Sequence, residues 1–431
     1  MRTVRFGSPS WRAFLASLPR ASRPRPALAK AVAAILRDVR KDGDRALVRL
    51  TARFDGVRLR PSGLRVRPAE LRALSRRADR KLLRGLHEMA ERIESFHRRQ
   101  RDEGFALRLP DGSRIEEVVA PLDSVALYVP GGAGAYPSSV LMNAIPARVA
   151  GVPRVQVVTP PRALETSPGL AAALVIAGVT DSVFRVGGAQ AVGACAYGTD
   201  TVPAVAKIVG PGNAFVVEAK RQVRGTVEID QEAGPSEVVV LADDTADPGF
   251  VAADLLAQAE HGSGDETVVL VTPSGELADE VARLVALGVP SVANARSARR
   301  ALDRFAAIVR VRDLDQGVAA VNALAPEHAE VLTRDARRVA SRLVAAAVFV
   351  GPYAPVAVGD YGVGPNHVLP TGGAARHSSP LSVRDFQRRS SRVEMTRRGL
   401  ARVTEGMVRV AMAEGFRGHA QSLLTRFEGE P

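Results

Sequence analysis

Residues 125–143 read Val-Ala-Leu-Tyr-Val-Pro-Gly-Gly-Ala-Gly-Ala-Tyr-Pro-Ser-Ser-Val-Leu-Met-Asn, and this stretch decides the fold class. Its apolar start predicts a buried strand that runs into glycines, and Pro137 is placed to begin a helix. Glycines let the backbone approach a ligand closely, and a helix N-terminus favours anions. The dinucleotide pattern G-x-G-x-x-G is not met, because Gly132-Ala-Gly134-Ala-Tyr-Pro137 ends in proline. A tight strand–helix turn explains the loop equally well.

The alternation of strand and helix continues along the chain from about residue 120. Strands are predicted at Val125–Val129, Val155–Thr159, Val183–Val186, Ile208–Val209, Val238–Leu241, Val268–Val271, Ala307–Val311 and Ala346–Val350. Helical patterns separate most of them, which is typical of parallel sheets covered by helices on both faces. The two runs, 121–235 and 236–352, predict an α/β fold with two similar domains.

Helical patterns flank this α/β region. Residues 1–45 are predicted to be helical with a break at Ser22–Pro26, and apolar residues at helical spacing from Leu82 to Phe96 predict an amphipathic helix. The segment from residue 376 onward is basic and is also predicted to be helical, after a loop rich in Gly and Ser at 371–379.

The charge of the chain says little about its partners. The formal excess is +13, but residues 1–100 alone hold 26 basic and 9 acidic groups, so the remainder is slightly acidic. The arginines of residues 1–100 alternate with Leu and Ala, and aromatic residues make up only 4% of the chain. This composition disfavours stacking on single-stranded nucleic acid. We therefore expect no nucleic-acid partner.

The location of the protein is also constrained by its sequence. No apolar run reaches the ~18 residues that a transmembrane helix needs, and the N-terminus has no apolar core of a secretory signal, so we expect no membrane association. The single cysteine, Cys195, cannot form an internal disulfide and is expected to be a small buried residue. These features indicate a cytoplasmic protein.

Two further glycine loops follow predicted strands. Ile208-Val-Gly-Pro-Gly-Asn213 places Asn213 as a helix N-cap, and Gln190 comes just after Val186-Gly-Gly-Ala. Ligands of open α/β sheets bind outside the carboxyl ends of the strands, so we expect all three loops to open on that edge. The capping role alone would account for Asn213.

Five of the seven histidines lie after residue 260, and four of these five have acidic or amide groups close by in sequence. Gln258 and His261 are three residues apart at a predicted helix end and share a face, whereas Glu327 and His328 are adjacent. The other pairs are Asp360 with His367 and Glu414 with His419. A Cys-rich zinc site is excluded, and His, Asp and amide oxygens suit zinc when thiolates are absent. Each histidine taken alone is more often a packing or surface residue.

Taken together, these segments resemble the histidinol dehydrogenase family, which performs the last step of histidine biosynthesis. The segments are YVPGGAGAYPSSVLMNAIPARVAGV (128–152), KIVGPGN (207–213), AGPSEV (233–238), LLAQAEH (255–261), APEHAE (325–330), GDYGVGPNHVLPTGG (359–373) and EGFRGHA (414–420). The resemblance covers nearly the whole chain. It implies a cytoplasmic homodimer that binds one Zn²⁺ per subunit and oxidises L-histidinol to L-histidine with two NAD⁺ through a bound histidinaldehyde.

The resemblance also implies a role for each matching residue. The zinc ligands would be Gln258, His261, Asp360 and His419, and the acid–base pair would be Glu327 and His328. Substrate would be bound by these ligands and Glu327 together with Ser236, His367 and Glu414. Glu414 and His419 would act across the dimer interface, and Tyr128, Gln190 and Asn213 would contact NAD⁺.

The same resemblance implies a division into domains built on two incomplete Rossmann-like folds. The implied parts are an N-terminal helical segment (1–22), an α/β domain with the zinc and catalytic residues (23–120 and 236–375), an NAD-binding domain (121–235) and a C-terminal helical dimerisation region (376–431). The chain departs from the family's usual pattern at Gln231-Glu232 and Gly262-Ser263, neither of which is an implied ligand.

One alternative is a relative on the same scaffold that oxidises another small alcohol, such as a sulfonated diol. Such relatives resemble the family in the zinc and NAD segments and differ in the substrate contacts. Retention of His367, Glu414 and His419 therefore favours histidinol.

Overall fold

The computed structural model describes residues 1–19, 26–131, 136–232 and 234–428. The strands are β1 Arg2–Arg5, β2 Phe105–Arg108, β3 Arg114–Pro121, β4 Ser124–Tyr128, β5 Arg154–Thr159, β6 Val183–Arg185, β7 Lys207–Val209, β8 Glu228–Ile229, β9 Glu237–Ala242, β10 Thr267–Thr272, β11 Ala306–Arg310, β12 His328–Leu332, β13 Ala347–Val350 and β14 Gln387–Glu394.

The longer helices are α1 Pro9–Ser17, α2 Pro26–Asp42, α3 Asp44–Phe54, α4 Pro68–Ser75, α5 Arg80–Arg98, α6 Pro137–Ala150, α7 Ala163–Thr166, α8 Pro168–Ile176, α9 Gly188–Tyr197, α10 Ala214–Val223, α11 Pro248–Ala259, α12 Gly275–Gly288, α13 Ala295–Arg304, α14 Leu314–Leu324, α15 Ala336–Ala340, α16 Ala357–Asp360, α17 Arg397–Ala413 and α18 Arg417–Leu424. No helix of the described residues is long and apolar enough to cross a membrane.

The described residues form two compact units, of which the larger comprises residues 1–100 and 122–386. Its first sheet has the strand order β6-β5-β4-β7-β8, and every pair in it is parallel. The order of the second sheet is β1-β11-β10-β9-β12-β13, also parallel throughout. Apart from β1, the two sheets share one doubly wound order, with the order reversing between β4 and β7 and between β9 and β12. The predicted α/β fold with two similar parallel sheets is confirmed, as are all eight predicted strands.

The smaller unit comprises residues 101–121 and 387–431. Strands β14, β3 and β2 form an antiparallel sheet in it, and helices α17 and α18 follow β14. The prediction that residues 376–431 are helical is therefore wrong for Gln387–Glu394. These residues are mostly exposed and polar, so they carry no alternating pattern, and their strand depends on pairing with β3, far away in sequence.

The N-terminal prediction of helix is wrong for Arg2–Arg5, which form strand β1 on the edge of the second sheet. Pairing with β11 provides the backbone partners, and Val4 is buried in the same core as Trp11 and Phe14 of α1. The following helix, α1, agrees with the prediction. Of the predicted break at Ser22–Pro26, only Pro26 lies within the described residues, and it begins α2.

The packing of α2–α5 differs from the predicted domains. Residues 23–120 were expected to belong with the second α/β domain, but Leu36 and Leu47 share a core with Tyr128 of β4, and Ile93 shares a core with Leu127 of β4. These helices thus cover the first sheet, because their apolar faces need a sheet face to bury them. The predicted amphipathic helix is confirmed as α5, which Asp79 caps through Lys81 N.

Candidate active site

Glu327 is buried immediately before β12. Its Oε2 accepts hydrogen bonds from Ser236 Oγ at 2.6 Å and from the backbone N–H of Glu237 at 2.9 Å. Ser236 and Glu237 lie at the start of β9, which neighbours β12, so the parallel pairing of these strands brings the three residues together. Burial raises the pKa of Glu327 to about 7, although these two hydrogen bonds oppose the shift. A carboxyl group with this pKa can both accept and release a proton near neutral pH.

His328 is the first residue of β12 and is also buried. Its Nδ1 lies 2.9 Å from the carbonyl oxygen of Glu237 and 3.5 Å from Oε2 of Glu327. Because a carbonyl oxygen only accepts, Nδ1 carries the proton of the neutral ring, which leaves Nε2 as the basic atom. Burial lowers the pKa of His328, so the neutral ring is the favoured form.

His367 lies against Asp360 and helix α6. Its Nδ1 is 3.1 Å from the carbonyl oxygen of Asp360, and its Nε2 is 3.4 Å from Ser139 Oγ. Burial lowers the pKa of His367, and the charge of Asp360 opposes this shift. The sequence analysis missed Ser139, which lies in the motif at 128–152, because a serine in the first turn of a helix carries no signal of a partner 228 residues away.

Gln258 lies in the last turn of α11, near the helix end that the sequence predicts, whereas His261 follows the helix in an exposed turn. Gln258 is buried, and its Nε2 has no hydrogen-bond partner among the residues that the structure describes. The charges of His261 and Asp360 both act on the pKa of Glu327, His261 lowering it and Asp360 raising it. His261 and Asp360 thus act electrostatically on the acid–imidazole pair, and Gln258 lies three residues before His261. An amide, an imidazole and a carboxylate together are a donor set that fits zinc.

The donor set is incomplete within the larger unit. Over the described ranges, no group of three or more His, Cys, Asp or Glu side chains is arranged to hold a metal ion. Of the four predicted ligands, only His261 and Asp360 are of these types and lie in the larger unit. His419 belongs to the smaller unit, where it and Glu414 are exposed and its ring lies 5.1 Å from that of Phe416.

The residues predicted to contact NAD⁺ follow the strands of the first sheet. Tyr128 ends β4, and its buried hydroxyl accepts a hydrogen bond from Gly188 N at 3.0 Å. Gln190 is buried in the first turn of α9. Its Oε1 is so close to Gly188 that a Cβ added at Gly188 would lie 2.8 Å from it. Asn213 caps α10, its Oδ1 accepting from Phe215 N and Val216 N. The glycine-loop residues 132–135 lie outside the described residues.

The two groups of residues occupy opposite ends of their sheets. Tyr128, Gln190 and Asn213 follow the carboxyl ends of β4, β6 and β7, as expected. Ser236 and Glu327 instead precede the amino ends of β9 and β12. The position of Glu327 at the amino end of a strand was not predicted, because β12 was not predicted as a strand.

A buried acid–imidazole pair, placed by parallel strands and acted on by the charges of His261 and Asp360, defines an α/β enzyme that uses acid–base chemistry. The family model of histidinol dehydrogenase matches residues 18–427 of this chain. The chain is 43% identical to the histidinol dehydrogenase of Syntrophotalea carbinolica over 99% of both chains, and 47% identical to that of Gluconobacter oxydans over 93% of both. A crystal structure of histidinol dehydrogenase from Elizabethkingia anophelis matches with a TM-score of 0.92 and 30% identity, covering 99% of this chain and 98% of that one.

This chain therefore belongs to the histidinol dehydrogenase family, the oxidoreductases of the last step of histidine biosynthesis.

Proposed function

We propose that this chain oxidises L-histidinol to L-histidine with two NAD⁺, through a bound histidinaldehyde, as a cytoplasmic homodimer with one Zn²⁺ per subunit. The observation that carries the proposal is the buried Glu327–His328 pair, whose protonation is tied by hydrogen bonds to Ser236 and Glu237. Family membership supports the substrate, since the similar proteins carry the name histidinol dehydrogenase.

The pair supplies a base for each half of the oxidation. Nε2 of His328 is the lone-pair atom of a neutral ring, so it can take the proton of the substrate hydroxyl as the hydride leaves for NAD⁺. The aldehyde must then gain water before a second hydride can leave. Ionised Glu327 can take the proton of that water, and its pKa of about 7 keeps a large fraction ionised at neutral pH.

Gln258, His261 and Asp360 would hold zinc in each site, with His419 as the fourth ligand from the second subunit. Bound zinc would supply a Lewis acid and a template for the amine and the imidazole of histidinol. Ser236, His367 and Glu414 would complete the substrate site. The amide nitrogen of buried Gln258, which has no partner among the residues described, supports this assignment, because an amide flip would turn its oxygen toward a ligand.

Helices α17 and α18 support the proposed dimer. These helices and the turn between them expose large apolar side chains in the smaller unit, namely Val403, Met407, Val410, Met412, Phe416 and Leu424. A concentration of exposed apolar residues on two helices is typical of a protein–protein interface. Glu414 and His419 lie on the same stretch, so an interface formed there would carry both residues to a second copy.

The test is a stoichiometric assay. Purified protein with limiting L-histidinol and excess NAD⁺ should form two NADH per substrate, and a zinc chelator should abolish turnover until zinc is restored. One NADH per substrate would contradict the four-electron oxidation. If a folded, zinc-loaded dimer forms no NADH from histidinol but oxidises another small alcohol, then that alcohol replaces histidinol as the proposed substrate.

The shared site has its own test. His419→Ala and Glu327→Ala dimers should each be inactive, but subunit exchange between them should restore part of the activity. In a mixed dimer, one of the two sites carries neither change. Lack of recovery, when exchange is shown by mass, would place His419 in the site of its own subunit.

A further inference from the structure

The loop after β7 is held by a buried ion pair to which the proposed function assigns no role. Lys220 of α10 and Asp230, which follows β8, form a salt bridge with side chains only 2% and 4% exposed. Taking two charges out of water is costly, and apolar residues of similar volume often stabilise a core as well or better. The pair therefore needs a reason beyond stability.

That reason is found at one peptide group. Lys220 Nζ donates to the carbonyl oxygen of Gly210 at 3.0 Å, while the N–H of Gly210 donates to Asp230 Oδ2 at 2.7 Å. The backbone N–H of Asp230 also donates to Ile208 O at 3.2 Å, which continues the pairing of β8 with β7. The carboxylate of Asp230 then takes the place of the next backbone acceptor, because it binds the N–H of Gly210. Both polar atoms of Gly210 are thus held by the same ion pair.

The opposite side of Gly210 is closed by β4. Gly210 has φ +109°, and a Cβ on it would lie 2.3 Å from the carbonyl oxygen of Tyr128. The loop is therefore pressed against Tyr128 on one side and fixed by Lys220 and Asp230 on the other. Three residues later, Asn213 begins α10, whose N-terminus is a favourable site for a phosphate.

We infer that Lys220 and Asp230 are positioning residues for the cofactor, which fix the Gly210–Asn213 loop so that it can receive NAD⁺. The inference rests on the proposed function, because it takes Tyr128 and Asn213 as cofactor contacts. Neither residue needs to touch the nucleotide. Their effect on it passes through the Gly210 peptide, so it should be seen in cofactor affinity before it is seen in chemistry.

The experiment compares two variants with wild type. In Asp230→Asn, an amide donor faces Lys220, so the loop loses its charged anchor. The dissociation constant of NADH, measured by fluorescence, and KM for NAD⁺ should rise about tenfold, the loss of roughly one hydrogen bond to a charged group. Meanwhile kcat at saturating NAD⁺ and KM for L-histidinol should change less than about twofold, because Glu327 and His328 are untouched.

The second variant, Lys220→Met with Asp230→Leu, removes both charges together and leaves no unpaired charge in the core. It should fold and show the same loss of NADH affinity. The matched control is Glu218→Gln on α10, which removes the charge from the ion pair with Arg221. The described hydrogen bonds of Glu218 go to Arg221 and Gln222, not to Gly210. The control variant should bind NADH like wild type.

The outcomes separate the inference from the proposed function. Wild-type NADH affinity in a folded double variant would overturn the inference alone. An equal loss of kcat in all three variants would assign the pair a general structural role and overturn it too. Wild-type protein that binds no NADH would overturn the proposed function itself, and the inference with it.

Discussion

A buried carboxyl pair near the candidate active site is expected to make the stability of the protein depend on pH. Glu330 lies two residues beyond His328 on β12, and Asp254 lies on α11, one turn before Gln258. They are 1% and 9% exposed. Burial raises the pKa of both groups, and the charge of Asp254 with the hydrogen bond between them raises that of Glu330 further, to about 9. The shared proton therefore lies on Glu330.

The sign of the effect follows from the unfolded state. Between pH 6 and pH 8 an unfolded glutamate has lost its proton, whereas Glu330 in the folded protein keeps it, so folding takes up one proton. This contribution to stability falls as pH rises, by about 1.4 kcal/mol per pH unit for one proton. Glu330→Gln keeps a donor for Asp254 and cannot ionise. Relative to wild type, the variant should therefore gain about 3 kcal/mol in free energy of unfolding from pH 6 to pH 8.

Urea-induced unfolding at several pH values, with chelator in every sample, measures this difference. Glu280→Gln is the control, because Glu280 is ionised in both states over this range and pairs with Arg283 on the exposed face of α12. Its profile should run parallel to that of wild type. If the profile of Glu330→Gln is parallel as well, then Glu330 is ionised in the folded protein and the reasoning is refuted.

Three further predictions concern single positions. Gly210→Ala should destabilise the protein by roughly 1–3 kcal/mol in thermal denaturation, through its positive φ and the close backbone, whereas Gly406→Ala in α17, with nothing near a new Cβ, should not. Ser236→Ala removes a hydrogen bond that lowers the pKa of Glu327, so the acidic limb of the kcat/KM profile should move to higher pH; an unmoved limb would show that another group sets it. Cys195 is buried and burial raises the pKa of its thiol to about 12, so a thiol reagent should find no reactive cysteine in the native protein and one after denaturation.

The sequence predicts much of this fold because its strands are local apolar runs. Runs such as Val155–Thr159 and Val268–Val271 are buried whichever strands they pair with, so their composition alone identifies them. Strands β1 and β14 escape prediction because each exists only through pairing with a distant strand. The placement of α2–α5 on the first sheet could not be predicted for the same reason, since an amphipathic helix does not specify which sheet buries it.

The site was predictable as a set of residues and not as a geometry. The adjacent Glu327 and His328 stand out in the sequence, but their hydrogen-bond partners Ser236 and Glu237 lie about 90 residues away. The sequence analysis missed the roles of Glu237 and of the pair formed by Lys220 and Asp230. A lysine in a helix and an aspartate near a strand give no sign in sequence that both are buried.

The most informative failure is β12. A strand in the middle of a parallel sheet covered on both faces normally reads as a continuous apolar run. In β12, Ala329 and Val331 pack into the core beside β9, while His328 and Glu330 lie on the opposite face, where Glu330 meets Asp254 of α11. The strand looks half-exposed in sequence although it is buried on both faces. Its alternating polarity arises because His328 and Glu330 share one face, so the feature that hid the strand from prediction also carries His328, the imidazole of the proposed acid–base pair.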